Sequence, residues 1–192
     1  MNKQRLEAFS DGVIAIIITI MVLELKVPHG ASLADLVPLI PIFVGYVLSF
    51  VFVAIYWNNH HHMLQATQKV DGKILWANTH LLFWLSLIPF TTGWMGEHAM
   101  AATPVVLYGI NLLCCAISYT ILSKLLVSHH GPESHLANAL GSDTKGFVSL
   151  ALYIIGVITA LWWPIIAYII YATVALIWLV PDRRIEKALE KS

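Results

Sequence analysis

The sequence predicts an all-helical integral membrane protein with six transmembrane helices in one chain. Three observations carry that prediction. Hydrophobic residues make up 58% of the chain and charged residues 11%, with a mean hydropathy of +0.76; globular chains are about one-quarter charged. The apolar residues are gathered into runs that can cross a bilayer core of about 30 Å at 1.5 Å per helical residue. The basic residues also partition. With six spans and both termini inside, Lys3, Arg5, Lys69, Lys73, Lys124, Lys145, Arg183, Arg184, Lys187 and Lys191 share the inner side, and Lys26 alone lies outside. That bias orients membrane proteins. Five spans would move the four basic residues of the C-terminal tail outside, so six spans fit better.

The first span is expected at 9–25, after a charged approach carrying Arg5 and Glu7. No small-residue cleavage site follows its apolar run, so it reads as a retained span and not as a removed leader. Pro28, His29 and Gly30 end it. Ser32 is a candidate cap for the second span, 38–67, where Pro38 and Pro41 fall in the first turn. The polar stretch Gln68 to Lys73 leads to a third span, 74–94, which contains Asn78, His80 and Pro89-Phe90. Pro104 opens the fourth, 104–127. Cys114 and Cys115 lie within it; helical neighbours point about 100° apart, so they read as small hydrophobes and not as a disulfide.

Ser128 to Gly146 is the longest hydrophilic stretch and reads as a loop holding His129, His130 and His135. Phe147 to Val180 is then apolar throughout. As one helix it would be roughly 50 Å long. Trp162-Trp163-Pro164 at its centre suits an interface and a helix start, so it divides into spans at 147–161 and 165–180. The whole chain, 1–192, reads as a single six-helix unit.

Two features of the first span invite a functional reading. Ile16, Thr19, Ile20 and Leu23 fall within an arc of about 100° on a helical wheel. The ordinary reading is a packing face, with Thr19 bonded back to its own helix. The sharper one is a pore wall, since rings of aliphatic side chains gate by dewetting and hydroxyls replace part of an ion's water shell. Asp11 lies about 140° around from Ile16 and should face neighbouring helices. It reads as a hydrogen-bond hub or as a proton carrier. Trp57, His60, His61, Asn78 and His80 are its possible partners.

His60, His61 and His62 spread over about 200° of a helix and cannot converge on one ion. No metal site is expected there, and they read as satisfied histidines near the inner interface. The P-loop, GxSxG and glycine-rich dinucleotide motifs are absent, so no enzyme and no cofactor are expected. Zero formal net charge gives no footprint for nucleic acid. Acids within the spans are confined to Asp11 and Glu24 near span ends, against the midplane carboxylates of an ion-coupled transporter.

Arg5-x-x-x-Phe9-Ser10-Asp11-Gly12-Val13, with Ala15-Ile16 and Thr19 downstream, resembles the RxxxFSD first-helix signature of the transmembrane protein 175 family of potassium channels. Trp57-x-x-His60-His61, Asn78 and Pro89-Phe90 are similar to the bacterial members, so the resemblance covers essentially the whole chain. It implies a homotetramer with helix one of each chain lining a central pore. Ile16, Ile20 and Leu23 would form hydrophobic rings, with Ile16 the narrow one, and Thr19 a hydroxyl layer. Arg5, Phe9, Ser10 and Asp11 would belong to the polar network that fixes helix one. The implied function is a weakly to moderately selective potassium channel of a prokaryotic plasma membrane, with potassium ions and the bilayer as partners. The alternative is a proton-conducting or proton-coupled protein using Asp11 and the histidines.

Overall fold

The computed structural model describes residues 3–67, 69–131 and 144–179. Among them the chain forms α1 (Lys3–Leu23), a 3-10 helix (Leu33–Leu39), α2 (Ile40–Gln65), α3 (Gly72–Ser86), α4 (Ile88–Glu97), α5 (Ala102–His130), α6 (Thr144–Ala160) and α7 (Pro164–Leu179). Four stretches are long and apolar enough to cross a membrane: Lys3–Leu23, Leu33–Gln65, Gly72–Glu97 and Ala102–His130. Thr144–Ala160 and Pro164–Leu179 are shorter apolar helices. The six expected spans are therefore all present as helix.

The boundaries differ in instructive ways. α1 starts six residues before the expected 9, because a helix continues through its charged approach wherever side chains find partners. Ser32 does cap the second stretch: its N–H donates to the Asp35 carboxylate at 2.9 Å, but the turn it opens is 3-10, with Pro38 inside it. The third span is broken at Leu87 into α3 and α4, because Pro89 has no N–H for the ladder. His129 and His130 end α5 and do not lie in a loop; His135 lies outside the described residues. The division before Pro164 falls where the Trp-Trp-Pro sequence places it.

Two apolar clusters hold the bundle. Ile14, Ile17 and Met21 of α1 pack with Val53, Met63 and Leu64 of α2, Leu81 and Leu85 of α3, and Leu122 of α5. The second cluster joins Phe52, Met95, Tyr108, Tyr153 and Tyr171. Lipid tails are as apolar as these side chains, so close packing and buried hydrogen bonds hold membrane helices together. Gly109 of α5 and Gly156 of α6 let the Tyr171 ring of α7 lie where a Cβ would stand. Cys114 and Cys115 are both free thiols, Cys115 buried in the first cluster and Cys114 half-buried beside it.

Candidate functional site

The site is α1 and what holds it. Its buried residues are Leu6, Ser10, Ile14, Ile17 and Met21, spaced three and four apart. They turn one face to α2 and α3. The opposite face is left uncovered: Ile16 is 59% exposed, Ile20 42% and Leu23 75%. Thr19 is exposed on the same face, and its hydroxyl donates to the Ala15 carbonyl at 2.9 Å. Its proton is thus spent within the helix, and the oxygen lone pairs are free to point outward. Among the described residues this stripe is exposed, with Ile20 at the edge of a cleft toward Pro89 and Phe90.

The buried face is pinned by two polar chains. Ser10 Oγ donates to the Leu6 carbonyl at 2.8 Å and therefore accepts from Asn78 Nδ2 at 3.0 Å. That orients the Asn78 amide so that Oδ1 accepts from His60 Nε2 at 2.7 Å, which makes His60 the Nε2–H form. Ser10, Asn78 and His60 are all buried. In the second chain Trp57 Nε1 donates to Asp11 Oδ1 at 3.0 Å. The Trp57 ring stacks on His61 at 5.8 Å and 18°, and His61 Nδ1 lies 3.3 Å from the Glu7 carboxylate. At the N-terminal end of α1, Lys3 Nζ donates to the last-turn carbonyl of Gln65 at 3.0 Å, where a helix carries partial negative charge. Just beyond the C-terminal end of α1 an ion pair joins Lys26 to Glu97 of α4 at 2.5 Å.

The structure thus brings together Ser10, Asp11, Trp57, His60, His61 and Asn78, as the sequence suggested. It does not bring three others. Phe9 is 58% exposed and falls on the same stripe as Ile16, seven residues on; Arg5 is exposed on that stripe too, and among the described residues no hydrogen bond or ion pair reaches it. Both sit about 20° from Ile16 around the helix, which points them away from α2 and α3. His80 accepts from Trp84 Nε1 at 2.9 Å on its own helix and takes no part in the Asp11 cluster. Nor are the three consecutive histidines all satisfied. His60 meets Asn78, His61 meets Glu7, and His62 Nδ1 is buried without a partner among the described residues. They diverge as helical geometry requires.

Sequence reasoning overlooked Glu7 and a second tier of polar groups behind the site. Thr92 Oγ1 of α4 donates to Ser49 Oγ at 2.7 Å, and Ser49 pairs with the Tyr108 hydroxyl at 2.9 Å. Asn111 is buried beside the break in the third span. A lone Asn in an apolar span was a legible signal, since such a group must find partners. Asp71 caps the start of α3, accepting from Ile74 N–H at 2.9 Å. That bond, with smaller help from His129, holds its carboxyl below the usual aspartate range.

Comparison with known proteins adds to this geometry. The family model described as endosomal/lysosomal potassium channel TMEM175 matches residues 5–89, the stretch that contains α1 and its partners on α2 and α3. A potassium channel of Chryseobacterium sp. (strain P1-3) is 55% identical over 192 residues, covering 100% of both chains. The endosomal/lysosomal proton channel TMEM175 of Homo sapiens is 26% identical over 157 residues, 79% of this chain and 30% of the human one. The crystal structure of a lysosomal potassium-selective channel TMEM175 homolog from Chamaesiphon minutus superposes with a TM-score of 0.83 at 25% identity, covering 94% of this chain and 97% of that one.

Proposed function

We propose that this chain, which belongs to the TMEM175 potassium channel family, conducts potassium passively through a pore that four copies of α1 line about a shared axis. The observation that carries this reading is the uncovered stripe of α1. A helix pinned on one face by buried hydrogen bonds presents Ile16, Thr19, Ile20 and Leu23 on the other. A symmetric assembly closes that face on itself. Stacked aliphatic rings make a constriction that excludes loosely held water, and ions pass it partly dehydrated. Potassium sheds water more readily than sodium, which gives a weak to moderate preference. Thr19 supports it, because its outward lone pairs attract cations and its proton is committed to Ala15. The bias of the basic residues supports an orientation with both termini on the cytoplasmic side of a prokaryotic plasma membrane.

A second reading is proton conduction, favoured by the name of the vertebrate relatives. The local chemistry weighs against a relay through the Asp11 cluster. Trp57 Nε1 is a donor only and cannot pass a proton onward, and an Asn78 amide separates His60 from Ser10.

The test is flux from the purified chain in liposomes under a potassium gradient, repeated with sodium and with a proton gradient alone. Potassium should exceed sodium, Leu23→Ala should raise the flux, and Ile16→Asn should lower the preference for potassium. Proton flux without potassium flux, abolished by Asp11→Asn, would overturn the potassium reading in favour of the relay.

A further inference from the structure

The third span is interrupted, and a side chain repairs it. Pro89 brings no N–H to the Leu85 carbonyl. Leu87 N–H turns back to the Trp84 carbonyl at 3.2 Å, and Thr91 N–H resumes the helix on Leu87 at 3.1 Å. The Trp84–Ile88 pair between them is the missing rung. Asn111 of α5, 3% exposed, reaches into it. Its amide orientation follows from its neighbours: Nδ2 donates to the Trp84 carbonyl at 3.0 Å, and Oδ1 accepts from Ile88 N–H at 3.3 Å and from Thr91 Oγ1 at 3.2 Å. The opposite orientation would set oxygen against a carbonyl and NH2 against an N–H. One side-chain amide thus stands in for a peptide unit.

What the break aims is α4, and α4 borders α1. A cleft of about 500 Å³ opens at the surface where the two helices meet, lined by Ile20 of α1 and Glu24 just beyond it on one side and by Pro89, Phe90 and Gly93 on the other. Across its outer rim Lys26, just beyond α1, pairs with Glu97 at the end of α4. The outer half of α1 therefore packs beside α4, with a cleft opening where Ile20 lies, and is tied to it by charge beyond Leu23. The inner half is fixed by Ser10–Asn78 and Asp11–Trp57 instead.

We propose that Asn111 is a positioning residue for conduction: it splints the break at Leu87, so that α4, through Glu97 and Lys26, sets the position of the outer half of α1. This rests on the reading that α1 lines the pore. The residue touches no ion. It acts on Ile20 and Leu23 through α4 and leaves Ile16 and Thr19 to the inner anchors.

The test uses the full chain in liposomes with two readouts. In Asn111→Leu the Ile88 amide should exchange with deuterium about fivefold faster, the factor of one lost hydrogen bond, with α6 peptides unchanged. In single-channel records the open and closed dwell times should both shorten, because α4 is less well held, while the potassium-to-sodium ratio stays as in the unmodified chain. Asn111→Gln, which keeps the amide, should restore part of both. Glu97→Gln should shorten dwell times alone, and the double variant should add little to it. Unchanged exchange in the folded variant, exchange rising equally in α6, or unchanged dwell times would overturn the proposal. Should Asn111→Leu fail to fold, unchanged dwell times in Glu97→Gln would overturn it. If the unmodified chain carries no potassium current, the pore reading fails and the linkage with it, while Ile88 exchange still decides the splint.

Discussion

Asn78 on α3 donates to the Ser10 hydroxyl of α1 at 3.0 Å, and Ser10 donates in turn to Leu6 at 2.8 Å. Each group in this chain has one role left to it once its neighbour is fixed. The buried face of α1 is therefore specified by hydrogen bonding as well as by shape, and the opposite stripe is specified as a consequence.

Ser10→Ala leaves the Asn78 NH2 buried without that acceptor. The cost is about 1–3 kcal/mol, the penalty of an orphaned buried group. Thermal unfolding in detergent should show it as a lower Tm. A Tm equal to that of the unmodified chain would mean water replaces the hydroxyl.

Thr19→Ala removes an outward oxygen but no bond that holds α1 to its neighbours, since Thr19 bonds only to Ala15. Stability should hold and the potassium-to-sodium flux ratio should fall. A ratio that does not move removes the hydroxyl from the account of selectivity and leaves the apolar rings.

Gly109→Ala drives a methyl into the Tyr171 hydroxyl, and Gly156→Ala drives one into the ring carbons. Overpacking of this kind costs about 1–3 kcal/mol. Adding Tyr171→Phe should recover much of the loss at Gly109 and little at Gly156. Equal recovery at both would show that the ring shifts as a body.

Asp71 holds the start of α3 with its ionised carboxylate. Its folded pKa lies below the unfolded value of about 3.9. The stabilisation is therefore complete at neutral pH and is lost as pH falls below about 4 and through the folded value. Exchange at Ile74 N–H, corrected for the intrinsic pH dependence, should rise there. Asp71→Asn should abolish that acid step while keeping a cap, since Asn caps as well as Asp.

Much of the site was legible because it follows from helical period and donor chemistry. Asp11 had to face away from Ile16, and its partner had to come from the polar residues that end the second span or lie in the third; Trp57 fills that role, while Asn78 holds the neighbouring Ser10 instead. Phe9 and Arg5 have no polar partner within the described chain because they lie about 20° from Ile16, on the face turned away from Ser10. His80 was misplaced because spacing cannot show that Trp84 already supplies a donor one turn on. Asn111 was missed because the rung it fills exists only once Pro89 has opened the helix beside it.

The sequence by itself determined that this chain lives in a membrane, where its apolar stretches fall, and which residues of α1 share a face. Hydropathy, charge placement and a fixed 100° turn suffice for that, and they are properties of the chain alone. Only the tertiary structure decided which face of α1 is buried, which polar groups pin it, and that α5 repairs the break between α3 and α4. Those outcomes depend on distances between residues remote in sequence, and in an apolar medium such distances are set by which buried polar group reaches which partner.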